Sequence, residues 1–341
     1  MSQVAVLGAG GWGTALAILL HHNGQRVHLW EYFQDRAERL RSSRQNEIFL
    51  PGITIPEDII ITHNQKQALE NARITVFALP SHLMRGLAAG AAPLLPAGAL
   101  AVNVAKGLER KTLKRMSQVL AEELPEATPI VTLSGPSHAE EVSREIPTAV
   151  VAAARSRNHG RRVQEVFMSP TFRVYTNDDL VGVELAGSLK NIIAIAVGIC
   201  DGLGYGDNTK GALITRGLAE ISRLGLALGA RPETFAGLSG MGDMITTCCS
   251  QHSRNRYVGE QIGRGRSLQE VLDSMEMVAE GVNTAHSGRA LARRTGVEMP
   301  ITEQVHSVLF EGKDPREAVN DLMTRDPKSE LVKMKSSREN D

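Results

Sequence analysis

Apolar positions change rhythm halfway along the chain. Up to about residue 177 they come in short β-branched-rich runs separated by longer helix-forming stretches; beyond it helical spacing alone remains. Residues 4–7, 27–30, 59–62, 74–78, 100–103, 130–133 and 148–153 read as buried strands. Strands alternating with helices predict an α/β fold: a doubly wound, mostly parallel sheet of Rossmann type. Residues 181–200, VGVELAGSLKNIIAIAVGIC, are apolar on every face and predict a buried helix. After it, residues 212–229 form an amphipathic pattern ending at Gly229, residues 267–275 carry a Ser267/Glu270 capping box, and residues 314–323 open with Asp314 as cap and Pro315 in the first turn. The second part is therefore expected to be all-helical. The boundaries drawn are 1–180 for a sheet domain, 181–330 for a helical domain, and 331–341 for a charged tail expected to be disordered.

Composition narrows the partners. The 341 residues hold 38 Lys plus Arg and 38 Asp plus Glu, and only 4% are aromatic. No net field draws the chain to nucleic acid, and few rings are available for stacking bases. A small-molecule substrate is expected instead. Cys200 stands alone and Cys248 adjoins Cys249, which supplies neither a disulfide framework nor a zinc quartet, so no metal site is expected. The first residues, MSQVAVLGAG, lack a basic stretch followed by a long apolar one, and uninterrupted apolar runs are too short to cross a bilayer. A cytoplasmic protein without a membrane span is the expectation.

Candidate chemistry gathers after the strands. GAGGWG at residues 8–13 follows the first strand and opens a helix. Gly8 permits the tight turn, Gly10 lets backbone approach a pyrophosphate, and Gly13 allows helix and strand to pack closely, while free N–H groups at the helix start face the phosphates. Glu31 ends the next strand, where a ribose-binding carboxylate belongs. It favours NAD, and Tyr32 and Arg36 nearby soften that preference, so NAD or NADP remains open. Pro80 in LPSH fixes a turn beneath the expected cofactor. Lys106 sits beside Gly107, where most loop lysines are simply solvated. Gly135 and Pro136 shape a turn in SGPSHAEEV, and Ser137 with Glu140 reads as a capping box. Residues 238–248 and 252–257 read as loops, the first offering Asp243 as a counter-charge, the second offering Ser253, Arg254 and Asn255 as a phosphate cradle at a helix start. Lys190 and Asn191 interrupt the buried helix. Such a lysine either lets its ammonium reach water or lines a polar cavity, where a lowered pKa suits general acid/base chemistry.

Taken in order, GAGGWGTALA, LPSH, AKGLE, SGPSHAEE, FRVYTN, the LKNIIAIAVGICDGLGYGDNTKGALITRGLAE block, GMGD, SRNR, EG and MPITE resemble the bacterial NAD(P)-dependent glycerol-3-phosphate dehydrogenase family over nearly the whole chain. The resemblance implies a 6-phosphogluconate dehydrogenase-like helical part and interconversion of sn-glycerol 3-phosphate and dihydroxyacetone phosphate, feeding phospholipid synthesis. It implies Lys190 as general base, with Lys106, Gly135, Ser137, Asn191, Asp243, Thr247, Ser253, Arg254 and Asn255 at the substrate. On the cofactor side it implies Gly11, Trp12, Tyr32, Lys106, Ala139, Arg254, Val278 and Glu280. His138 stands where some members have phenylalanine, and Tyr32 where many carry a basic or imidazole side chain. The GMGD and SRNR loops argue against a 6-phosphogluconate or β-hydroxyacid dehydrogenase, and neutral charge gives no support to a DNA-binding redox sensor. A homodimer is the expectation from base rates and the family.

Overall fold

The structure is a computed structural model that describes residues 3–327 and 329–330; the tail expected at 331–341 lies outside them. The described strands are β1 (Gln3–Leu7), β2 (Arg26–Trp30), β3 (Gln45–Asn46), β4 (Leu50–Thr54), β5 (Ile60–Thr62), β6 (Ile74–Phe77), β7 (Leu100–Asn103), β8 (Ile130–Ser134), β9 (Thr148–Ala153) and β10 (Phe172–Asn177). Eight of them form one sheet in the order β10-β9-β8-β7-β6-β1-β2-β5, while β3 and β4 make a separate ribbon. Every neighbouring pair in the large sheet is parallel except β8 with β9. Register brings the carboxyl ends level: Leu7 lies opposite both Trp30 and Phe77, and Phe77 opposite Asn103. The loops after β1, β6 and β7 are thereby neighbours, and ligands of open α/β sheets bind at that edge.

Helices cover both faces, as the alternation predicted. Leu16 and Leu20 of helix Gly11–His22, with Val163 and Phe167 of helix Arg157–Phe167, pack with Val4, Val76 and Val102 on one face. Met84, Leu87, Val119 and Leu120 pack with Leu7, Phe77 and Ala101 on the other. Strand β10 is the sheet element that the apolar runs did not reveal. It is an edge strand with Phe172 and Val174 buried but Arg173 and Tyr175 exposed, so its signal is alternation rather than an apolar run.

The expected buried helix extends over Leu180–Gly202 and is capped by Asp179, which accepts from the Gly182 N–H at 2.9 Å. By length and composition it could cross a membrane, but it lies in the protein interior, with other helices around it. Ile192, Ile193 and Val197 pack with Ile221, Leu224, Phe235, Val258, Leu291 and Val305 from those helices. One face of the helix docks on the sheet half: Glu184 accepts from the Ser117 N–H at 2.8 Å, the Ser117 hydroxyl at 2.5 Å and the Thr132 hydroxyl at 3.2 Å, and pairs with Arg115.

Helix Arg254–Gly263 crosses the central helix in backbone contact. A Cβ on Gly198 would lie 2.0 Å from the Arg256 carbonyl oxygen and one on Gly202 2.2 Å from that of Glu260. Reciprocally, a Cβ on Gly259 would lie 2.1 Å from the Ile195 oxygen and one on Gly263 2.3 Å from the Ile199 oxygen. Four glycines spaced four apart in pairs thus set the distance between the two helices.

The capping predictions at Ser267/Glu270 and at Asp314 with Pro315 both hold. The amphipathic helix expected at 212–229 begins earlier, spanning Asp207–Ala227. Residues 238–248 correct the reading of a loop: a π-helical turn, Leu238–Gly242, leads directly into helix Asp243–Cys249. Two glycines at 240 and 242 masked the helical spacing there. Gly240 is needed for close approach, since a Cβ would meet the Phe235 oxygen at 2.1 Å.

Candidate active site

The glycine turn has the shape that a pyrophosphate requires. Gly8 adopts φ +117°, and a Cβ on Gly13 would strike the Gly8 oxygen at 1.9 Å, so neither accepts a side chain. Gly10 has open space where its Cβ would be, and no side chain caps the helix that starts at Gly11. Its first N–H groups remain available to an anion. Trp12 packs partly buried on the sheet core, and Ala139, which opens the short helix Ala139–Val142, lies close to Gly11. These residues fit a dinucleotide's pyrophosphate.

Three loops meet at the carboxyl edge of β6, β7 and β8. Pro80 leads into a 3₁₀ turn, Ser81–Leu83. After β7 the Lys106 ammonium donates to the Gly135 carbonyl at 2.7 Å and to the Ser137 hydroxyl at 3.3 Å. Gly135 needs its φ of +134° to turn there, and the Val150 Cα lies 3.0 Å from the place of a Cβ. Ser137 does not form the predicted capping box. His138 occupies the cap position of the short helix, and the Ser137 hydroxyl donates to the Gly135 oxygen instead.

The central helix brings Lys190 to this cluster. Its ammonium donates to Asp243 Oδ1 at 2.8 Å and to the Thr247 hydroxyl, while Asp243 Oδ2 pairs with Lys106 Nζ at 2.9 Å. One carboxylate therefore bridges two lysines. Lys190 is 4% exposed and Asp243 2%. Burial pulls the Lys190 ammonium down to about 8, the Lys106 charge pushes the same way, and Asp243 opposes both. A group titrating there can take and return a proton near neutral pH. His138 is held at about 4, first by burial and then by Lys106 and Lys190, so it is a neutral imidazole at pH 7. Burial pushes the Cys248 thiol, next to Thr247, up to about 12, which removes it as a thiolate nucleophile.

A chain of side-chain amides continues from Lys190. Asn191 donates to the Lys106 carbonyl at 3.1 Å and accepts from Asn255 at 2.9 Å, and Asn255 accepts from the Gly281 N–H at 2.8 Å. Ser253 caps helix Arg254–Gly263 by accepting from the Arg256 N–H at 3.2 Å, which confirms the predicted helix start. The Arg254 side chain is exposed and donates to the Val278 carbonyl at 2.8 Å. Glu280 accepts from the Ser81 N–H at 2.7 Å and its hydroxyl at 2.5 Å, tying the turn after β6 to the helical half. Ser81 was not singled out in the sequence. Its signal is positional, following Pro80 at a strand's carboxyl end.

Tyr32 is exposed, edge-on to Trp30 with ring centroids 5.9 Å apart. Glu31 departs from the simple ribose acceptor: its carboxylate is buried, accepts from the Phe33 N–H at 3.1 Å and lies 3.6 Å from the Arg36 guanidinium.

The comparisons with known proteins agree with this geometry. Residues 3–160 match the model of the NAD-dependent glycerol-3-phosphate dehydrogenase N-terminus, and residues 179–320 that of its C-terminus. Glycerol-3-phosphate dehydrogenase [NAD(P)+] of Pelotomaculum thermopropionicum is 55% identical over 331 residues, 96% of this chain and 95% of that protein. Its counterpart in Fusobacterium nucleatum is 50% identical, over 97% of this chain and 99% of that protein. A crystal structure of glycerol-3-phosphate dehydrogenase from Coxiella burnetii superposes with a TM-score of 0.92 at 40% identity, covering 95% of this chain and 99% of that one. With both family halves matched in chain order and relatives identical over half their residues, the chain belongs to the NAD-dependent glycerol-3-phosphate dehydrogenase family.

Proposed function

We propose that this chain interconverts sn-glycerol 3-phosphate and dihydroxyacetone phosphate with NAD(P)(H), with Lys190 as the proton carrier. The observation that carries the reading is the cluster of buried Lys190 and Asp243 with half-buried Lys106, set on the loops that follow β7 and β8. Bound nicotinamide dinucleotide supplies the hydride acceptor, or the donor in reverse. Lys190, as the free amine, takes the C2 hydroxyl proton while hydride leaves C2; in reduction its ammonium returns that proton to the C2 oxygen. Asp243 aims the Lys190 ammonium by accepting from it, and Thr247 holds it from the other side. Lys106, with Gly135, Ser137 and Asn191, borders the space where the C1 and C2 oxygens would lie. Ser253, Arg254 and Asn255, at a helix start, suit the substrate phosphate, whose binding energy orients C2.

The division at residue 180 into a cofactor half and a catalytic half belongs to this reading, and so does a cofactor seat of Gly8, Gly10, Gly11, Trp12, Gly13, Tyr32, Pro80, Lys106 and Ala139 from the first half, with Arg254, Val278 and Glu280 reaching it from the second. So do a cytoplasmic location, supply of glycerol 3-phosphate for phospholipids, and a homodimer, which family and prevalence support. The test is oxidation of NADH and NADPH with dihydroxyacetone phosphate, with a 2-keto carboxylate of similar size, and with no substrate. Turnover confined to dihydroxyacetone phosphate is expected; equal or greater turnover of the carboxylate would refute the assignment. Sedimentation of the same preparation at the mass of one 36.9 kDa chain would remove the dimer.

A further inference from the structure

We propose that Arg36 reads the 2′-phosphate of NADP(H), and that Glu31, whose position alone would favour NAD(H), is disarmed by it. This rests on the reading of a nicotinamide dinucleotide seat and names which dinucleotide the seat takes.

A carboxylate after β2 excludes a 2′-phosphate when it is presented unpaired, because it needs hydroxyl donors and repels a phosphate. Glu31 is not so presented. One oxygen accepts from the Phe33 N–H at 3.1 Å and the other faces Arg36 Nη2 at 3.6 Å, with only 6% of its side chain exposed. The pair carries no net charge.

Arg36 is held in place without using up its donors. Its guanidinium carbon lies 4.6 Å from the Phe49 ring centroid and 5.6 Å from that of Phe33, so two rings fix its position through their faces. About a quarter of its side chain is exposed. Stacking and the long ion pair leave the planar fork able to grip a phosphate through two N–H groups.

Phe49 also locates this fork on the dinucleotide. Its main-chain oxygen lies 2.5 Å from where a Cβ on Gly11 would be, so Phe49 borders the pyrophosphate turn. Arg36, stacked on Phe49 and paired with the residue that follows β2, stands between that turn and the end of β2, where the adenosine ribose of a dinucleotide would lie. Other nearby charges are engaged elsewhere: Asp35 pairs with Arg39 at 3.2 Å, and Glu38 accepts from Gln34 at 2.9 Å.

The experiment is direct titration of NADPH and NADH, without substrate, followed by quenching of tryptophan fluorescence, since Trp12 and Trp30 flank the seat. Wild type, Arg36→Gln and Glu31→Gln are compared. Wild type should bind NADPH at least as tightly as NADH. Arg36→Gln should weaken NADPH roughly tenfold or more, the size of one charge-assisted hydrogen bond, with NADH unchanged or tighter. Glu31→Gln should leave NADPH no weaker. Parallel weakening of both dinucleotides in Arg36→Gln, or no effect on NADPH, would overturn the assignment while leaving the proposed function standing. A wild-type chain that binds neither would overturn both.

Discussion

In the proposed reaction Lys190 is the residue on which the chemistry turns, and its environment can be read as opposed forces. Desolvation and the Lys106 charge favour the free amine; Asp243 favours the ammonium. Desolvation wins, leaving the group at about 8 rather than 10.5. Oxidation of the alcohol needs the free amine, so kcat in that direction should rise with pH through a midpoint near 8. Ketone reduction needs the ammonium and should fall through the same midpoint. Asp243→Asn removes the opposing carboxylate, so the midpoint should move to lower pH. A pH–rate series in both directions checks this, and a midpoint that stays put in Asp243→Asn would contradict the role given to Asp243. The sequence singled out Lys190 as an interruption of the apolar run LAGSLKNIIAIA, and left open whether its ammonium reaches water or lines a polar cavity. It did not show that one aspartate serves two lysines, because Asp243, Lys106 and Lys190 come from three segments far apart in the chain. Nor did it show that Glu31 turns inward, because the Phe33 N–H and Arg36 become its partners only once the turn has formed.

At the scale of elements, glycine spacing matters more than helix propensity. Gly198 and Gly202 on one helix and Gly259 and Gly263 on the other let two backbones touch. That contact sets how far Ser253, Arg254 and Asn255, at the start of the second helix, stand from Lys190 and Asn191 on the first. Gly259→Ala would push a methyl group to 2.1 Å from the Ile195 oxygen, so the helices must separate. Such overpacking costs about 1–3 kcal/mol. The expected outcome is a lower Tm together with a KM for the phosphorylated substrate that rises more than kcat falls. Thermal melting and steady-state kinetics check it; wild-type Tm and KM would show that the close approach is not needed. The glycine pairs were not singled out in the sequence, because only the crossing of the two helices shows what their missing side chains make room for. Caps were legible at Ser267 and Asp314, where a side chain and its own helix suffice. At Ser137 the local cap lost to a distant partner, the Lys106 ammonium.

The molecule as a whole joins a half built on a mostly parallel sheet to an all-helical half that carries Lys190. The alternation of apolar runs revealed the large sheet, save the edge strand β10, and the change of rhythm fell where strands give way to helices. What joins the halves was not visible: Glu184 on Ser117 and Thr132, Glu280 on Ser81, and Asn191 on the Lys106 backbone are each contacts between distant segments. They hold the helical half against the loops that follow β6 and β7, and in the proposed reading Lys190 lies outside the dinucleotide seat, so binding and proton transfer should separate on substitution. The most direct measurement is Lys190→Ala, with kcat for dihydroxyacetone phosphate reduction and NADPH affinity determined on the same preparation. A fall in kcat of roughly 10²- to 10⁴-fold is expected, with NADPH affinity unchanged. Turnover near that of the wild type would contradict Lys190 as the proton carrier.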